Sequence, residues 1–175
     1  MKRIIFIATL LFVSIQATAG DFIVHDGKLV WQGVFESDKD LAALEELLVT
    51  NGKFFDIINT GDRITCRCDR ETLDPREFGY NIGTLPMYVA ANDVSFFCTI
   101  QAKNGRYRVT LDQFVLTNNR DGGLFQEGKT ESIETFAVSN GELKGQFMKK
   151  TAQIYDKFFT KMFTIEEKSY IDDNW

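Results

Sequence analysis

Several stretches of this chain alternate apolar and polar side chains with the period of a strand, and two others repeat them with the period of a helix. The clearest strand signal runs from Val94 to Thr117, where VSFFCTIQAK and RYRVTLDQFVLT flank Asn104-Gly105. That dipeptide favours a two-residue hairpin turn in which both residues take φ > 0. Across it, Tyr107, Val109, Leu111 and Gln113 fall on one face and Arg106, Arg108, Thr110 and Asp112 on the other. One face is therefore expected to be buried and the other wet. Lys28 to Glu36 (KLVWQGVFE) reads as another strand, and Phe54 to Asn59 (FFDIIN) and Asp62 to Cys68 (DRITCRC) as two more around Thr60-Gly61. Leu85 to Ala90 (LPMYVA) reads as a weaker strand, pushed towards a sheet edge by Pro86.

Leu41, Leu44, Leu47 and Leu48 recur at helical spacing behind Ser37 as N-cap, with Asp40 three residues on, and Asn51-Gly52 stops that helix. A second helix is expected to close the chain. Leu143, Phe147, Thr151, Ile154, Tyr155, Phe158, Phe159, Met162 and Phe163 make its apolar stripe, with Ser139 or Asn140 as cap. Glu71 to Thr84 and the glycine-rich Asn118 to Lys129 read as loops, and Thr130 to Val138 shows no clear period. Strand, helix, about four antiparallel strands, helix is the order of an α+β fold: a curved antiparallel β-sheet with two helices packed on one face.

The N-terminus changes the picture of where the chain works. Met1-Lys2-Arg3 is basic, Ile4 to Ile15 is apolar but for Thr9 and Ser14, and Ala17-Thr18-Ala19 places small residues before Gly20. That is the three-part layout of a secretory signal peptide, too short for a comfortable membrane span. The expected division is residues 1–19 as signal peptide, 20–27 as a flexible mature N-terminus, 28–165 as a single α+β domain and 166–175 as a tail. The chain carries 20 Lys+Arg against 25 Asp+Glu. Lys2 and Arg3 leave with the leader, so the remainder is more acidic still. An acidic chain without a Lys/Arg cluster is a poor partner for nucleic acid or an anionic membrane.

The layout, the leader and the segment KNGRYRVTLDQF resemble an exported bacterial family, domain of unknown function 4468, described as having a TBP-like fold. The resemblance covers about Leu29 to Phe163. It is most specific from Ser95 to Phe114, where a strand, a Lys-Asn-Gly turn and an Arg-Tyr-Arg strand match in type and order. Ile64-Thr65-Cys66-Arg67-Cys68 departs from the family's glycine-rich third strand, and the loop at Asn118 is long. The resemblance implies a fold and brings no catalytic residues, because the family has no assigned activity. Fold does not carry DNA binding with it. With the leader, it places the expected location in the periplasm or at the cell surface of a Gram-negative bacterium.

Candidate chemistry is sparse. His25 is the only histidine, which weakens His-based metal sites and catalytic triads. Cys66 and Cys68 share a strand face, and either is a possible disulfide partner of Cys98, but three cysteines leave at least one unpaired. Asp69, Glu71 and Asp74 lack the order of a calcium loop. No metal, cofactor or catalytic residue is assigned. Arg106 and Arg108 on the wet hairpin face, with Asn119 and Arg120 in the polar loop, are the candidate ligand-binding residues, chosen for exposure. The expected function is an exported, non-catalytic binding or accessory module whose partner is an envelope protein or a small ligand. The rivals are a glycan-directed hydrolase using two carboxylates, and a subunit of an envelope assembly.

Overall fold

The computed structural model describes residues 18–120 and 127–164; most of the leader, the middle of the glycine-rich loop and the expected tail lie outside them. Its frame is an antiparallel sheet. β1 (Thr18–His25) and β2 (Lys28–Glu36) form a hairpin, while β3 (Phe54–Asn59), β4 (Ile64–Thr72), β5 (Asn92–Lys103) and β6 (Arg106–Asn118) form a meander. The strands lie in the order β1-β2-β6-β5-β4-β3. The seam is β2 against β6, from Trp31 opposite Leu111 to Glu36 opposite Arg106.

The β5–β6 hairpin turns at Asn104 (φ 55) and Gly105 (φ 70), the left-handed pair that the sequence calls for. Residues 20–27, expected to be loose, are a correction: Asp21 to His25 pair with β2. Asp26-Gly27 (φ 50 and 73) supplies the same turn chemistry, and Phe22 buries against Phe147 and Phe159.

Helix α1 (Leu41–Asn51) is capped by Asp40, whose side chain accepts the Ala43 N–H at 2.9 Å. Ser37, the expected cap, instead accepts from Lys39 N–H at 3.1 Å and shapes the turn before it. Gly52 (φ 74) ends the helix as expected. LPMYVA holds no strand. The Pro86 carbonyl accepts from Val89 and Ala90, and Met87–Ala90 makes a single helical turn, α2. A proline that weakens a strand is equally suited to start a helix.

β6 carries a bulge at Gln113 (φ 54), where Gln113 and Phe114 together oppose Phe96. The extra residue reverses the alternation. Tyr107, Val109 and Leu111 face the core before it, Phe114 and Leu116 after it, and Gln113 is exposed rather than on the buried face. Beyond the bulge β6 exchanges β2 for a new neighbour, β7 (Thr130–Ser132). A short helix α3 (Glu134–Ala137) follows, then a small hairpin of β8 (Val138–Ser139) and β9 (Glu142–Leu143). Asn140-Gly141 (φ 52 and 78) is that hairpin's turn and caps no helix. The closing helix begins later, through a wide π turn at Phe147–Thr151 that leads into α4 (Ala152–Phe163).

Leu44 and Leu48 of α1 and Ile154, Tyr155, Phe159 and Phe163 of α4 join the inward side chains of the sheet in one apolar core. Both helices thus cover the same face of the sheet, and the fold is mixed α+β. Phe159 is the hub, with ring contacts to Phe22, Trp31, Phe96, Phe114, Tyr155 and Phe158.

Candidate functional site on the uncovered sheet face

Because strand side chains alternate, the residues between those core positions present themselves on the opposite face, which neither α1 nor α4 covers. The register brings them into rows. Ile58, Thr65, Thr99, Thr110, Gln32 and Asp21 stand side by side across six strands. Gln32 Nε2 donates to Thr110 Oγ1 at 3.3 Å within that row. The neighbouring row places Phe55, Arg67, Phe97 and Asp112 side by side. Adjacent strands lie about 4.8 Å apart, so each row is nearly continuous. Phe55 is 53% and Ile58 57% exposed. The Arg67 side chain is exposed and has no hydrogen bond or ion pair among the described residues. Sequence reasoning missed this array. Its signal was the outward half of DRITCRC, which matters only once the register sets Arg67 between two phenylalanines.

The residues singled out for exposure do not converge. Arg106 and Arg108 lie at the turn end of β6, one 4.0 Å from Glu36 and the other donating to Gln101 Oε1 at 2.6 Å. Asn119 follows the far end of the same thirteen-residue strand, roughly 35 Å from Arg108 at the usual rise per residue. Its side chain donates to Asp93 Oδ1 at 2.6 Å, and its backbone N–H to Ala91 O. Asp93 is buried, also accepts from Thr72 Oγ1 at 2.7 Å and has Arg70 Nε at 3.8 Å. Asn119 is therefore a tether for the loop, and the Arg120 N–H is turned back onto Asn118 Oδ1 at 3.1 Å.

All three cysteines are buried and free. Cys66 is directly opposite Cys98, whereas Cys68 is opposite Phe96, so the register favours only one of the two pairings considered. Burial pushes the Cys68 thiol up to about 12. It holds the Cys98 thiol well above its ordinary range, and a hydrogen bond with Cys66 adds to this. His25 is exposed beside Asp26 at the β1–β2 turn.

Two carboxylates meet where β6 changes partners. Glu134 Oε1 accepts the Leu29 N–H at 3.0 Å, filling the place on β2 that the bulged strand vacates, and its other oxygen accepts from the Ser132 hydroxyl. Asp112 Oδ1 is buried without a partner among the described residues. Burial raises the Asp112 carboxyl, and Glu134 adds to this; a hydrogen bond from Gln113 and the charge of Lys28 oppose it. Both Glu134 oxygens are already engaged by this chain's own donors. An open depression of about 280 Å³ lies between Ser37–Asp40 and the β5–β6 turn, and another of about 530 Å³ is lined by Arg76, Gly79, Tyr80, Asn81 and Ile82. Neither contains Asp112 or Glu134. Among the described residues no three His, Cys, Asp or Glu side chains gather as a metal site.

No family model and no curated protein matches this sequence. Solved structures do. The chain is similar to a TBP-like protein and to a DUF4468 family protein. The first, from Parabacteroides distasonis, has 13% identity and a TM-score of 0.47 over 79% of this chain and 88% of its own. The second, from Bacteroides ovatus, has 17% identity and a TM-score of 0.45 over 79% of this chain and 84% of its own. Both are of the kind that KNGRYRVTLDQF and the order of elements led one to expect, and both come from bacteria. Neither description names a ligand or an activity. Among the described residues no helix is long and apolar enough to cross a membrane.

Proposed function

We propose that this chain is an exported, non-catalytic binding or accessory module, and that it receives a protein partner on the uncovered sheet face. The supporting observation is the row Phe55–Arg67–Phe97. Arg63, Arg70, Arg76 and Arg106 each have a carboxylate within 4.0 Å, and Arg67 has none among the described residues. An unpaired guanidinium between two phenyl rings, with exposed Ile58 beside it, fits a partner segment that offers a carboxylate to Arg67 and apolar side chains to Phe55 and Ile58. Asp21, Asp69 and Asp112 share the outward positions and disfavour a polyanion such as nucleic acid. The export part of the reading rests on the leader pattern of residues 1–19. The non-catalytic part rests on thiols sealed in the core and a lone, exposed histidine.

The test is photo-crosslinking in the bacterial cell, with a photoreactive residue at position 55 and a control at position 76, beside α4. An envelope-protein adduct formed from position 55, absent from position 76 and lost on Arg67→Glu is the expected result. Adducts that form equally from both positions, or that ignore Arg67→Glu, would sink the assignment.

A further inference from the structure

Gly20 lies against the indole of Trp31. A Cβ added at Gly20 would meet Trp31 Nε1 at 2.5 Å and two neighbouring ring carbons at 2.4 and 2.5 Å. Trp31 is fully buried, and its indole N–H donates to Asp156 Oδ1 at 3.0 Å. Asp156, on α4, is half-buried. Among the described residues that indole is the only hydrogen-bond partner of its carboxylate, and no cation neutralises it. By ordinary bond lengths the Gly20 nitrogen is within about 8 Å of the Asp156 carboxylate. A glycine backbone, an indole and an unneutralised carboxylate therefore sit together where β1 meets α4.

In the uncut chain that nitrogen is a neutral amide. The leader pattern places the scissile bond between Ala19 and Gly20, at this spot. We propose that cleavage there creates the cation that Asp156 lacks, and that Trp31 and Asp156 form the docking site of the mature N-terminus. A signal peptidase hydrolyses the Ala19–Gly20 bond with one water, leaving a carboxylate on Ala19 and an ammonium on Gly20. The ammonium pairs with Asp156 alongside the indole. The β1–β2 register is irregular between Thr18 and Asp21, so the cut falls in that irregularity and leaves Asp21 to His25 paired. Any side chain at position 20 would strike Trp31, so the site admits only glycine as its first residue.

The cleavage rests on the export reading; the pairing is tested separately. The full chain is expressed in a Gram-negative host and recovered from the envelope, and intact mass with N-terminal sequencing identifies its first residue. Processed wild type and Asp156→Asn are then melted before and after α-amine-selective transamination, which replaces the ammonium by a carbonyl. Asp156→Asn keeps an oxygen for the Trp31 N–H, so the variant retains the indole's bond. The expected result is a Gly20 start, with loss of the ammonium lowering Tm by about 2–4 °C in the wild type and leaving the variant unmoved. A start elsewhere, the intact leader included, overturns the cleavage and the docking together. A Gly20 start with equal shifts in both proteins overturns the docking alone and leaves export standing.

Discussion

Cys66 and Cys98 face each other across β4 and β5, both sealed from solvent. Thiolate is the reactive form, and burial suppresses it at Cys68 and Cys98. At pH 8 Cys68 of the native protein is therefore expected to react with an aromatic disulfide reagent about a thousandfold more slowly than a free cysteine. All three thiols should become reactive together when the protein unfolds. A rapid native burst from any one of them, measured by stopped-flow absorbance, would contradict this.

Glu134 supplies to Leu29 the acceptor that β6 no longer offers beyond its bulge. Glu134→Ala strands that N–H in a fully buried residue and is expected to cost about 1–3 kcal/mol. Glu134→Gln, which keeps an acceptor oxygen, should cost less. Denaturant unfolding ranks the pair, and hydrogen exchange at the Leu29 amide should accelerate in the alanine variant alone.

Phe159 is fully buried and holds six other rings in contact. Truncation to alanine is expected to cost about 3–5 kcal/mol, a large part of a domain's total stability. Phe158→Ala, on the half-buried side of the same helix, should cost clearly less. Equal losses in thermal melts would mean that α4 is not seated on the sheet as described.

Asp112 should make the protein pH-sensitive in an unusual direction. Burial raises its carboxyl, so the folded state holds this proton more tightly than the unfolded state. Its contribution to stability is intact at low pH and is lost as pH rises through the raised folded value. Asp112→Asn is therefore expected to melt above the wild type at pH 7, with the gap closing as pH falls to about 3.5. A variant that melts lower at pH 7 would show that the Gln113 hydrogen bond and the charge of Lys28 together outweigh the burial.

What could be read from the residues followed from how local each signal was. The β5–β6 hairpin, β2 and the closing helical stripe are written in alternation, in a turn dipeptide and in helical spacing, and all stand in the structure except the start of the stripe, since Leu143 lies in β9. Asp26-Gly27 and Asn140-Gly141 carried the same turn chemistry as Asn104-Gly105, yet only the last sat between long alternating runs that announced it. Gln113 broke the alternation without any residue type to mark it. The candidate surface was the least legible part. Exposure alone pointed to Arg108 and Asn119, which lie at opposite ends of one strand. Arg67 gains its meaning from Phe55 and Phe97, and those neighbours are set by pairing between strands rather than by sequence distance.

The strand order also sets a timetable for assembly. β3 to β6 each pair with the next long strand in the chain, whereas the β1–β2 hairpin must wait for β6, the last long strand to be made. When the polypeptide emerges N-terminus first, Trp31 is among the earliest core residues made and among the last to find its place, opposite Leu111. The seam between β2 and β6 is thus where folding should finish, and where a chain that stalls half-assembled would leave its most apolar edge open to others.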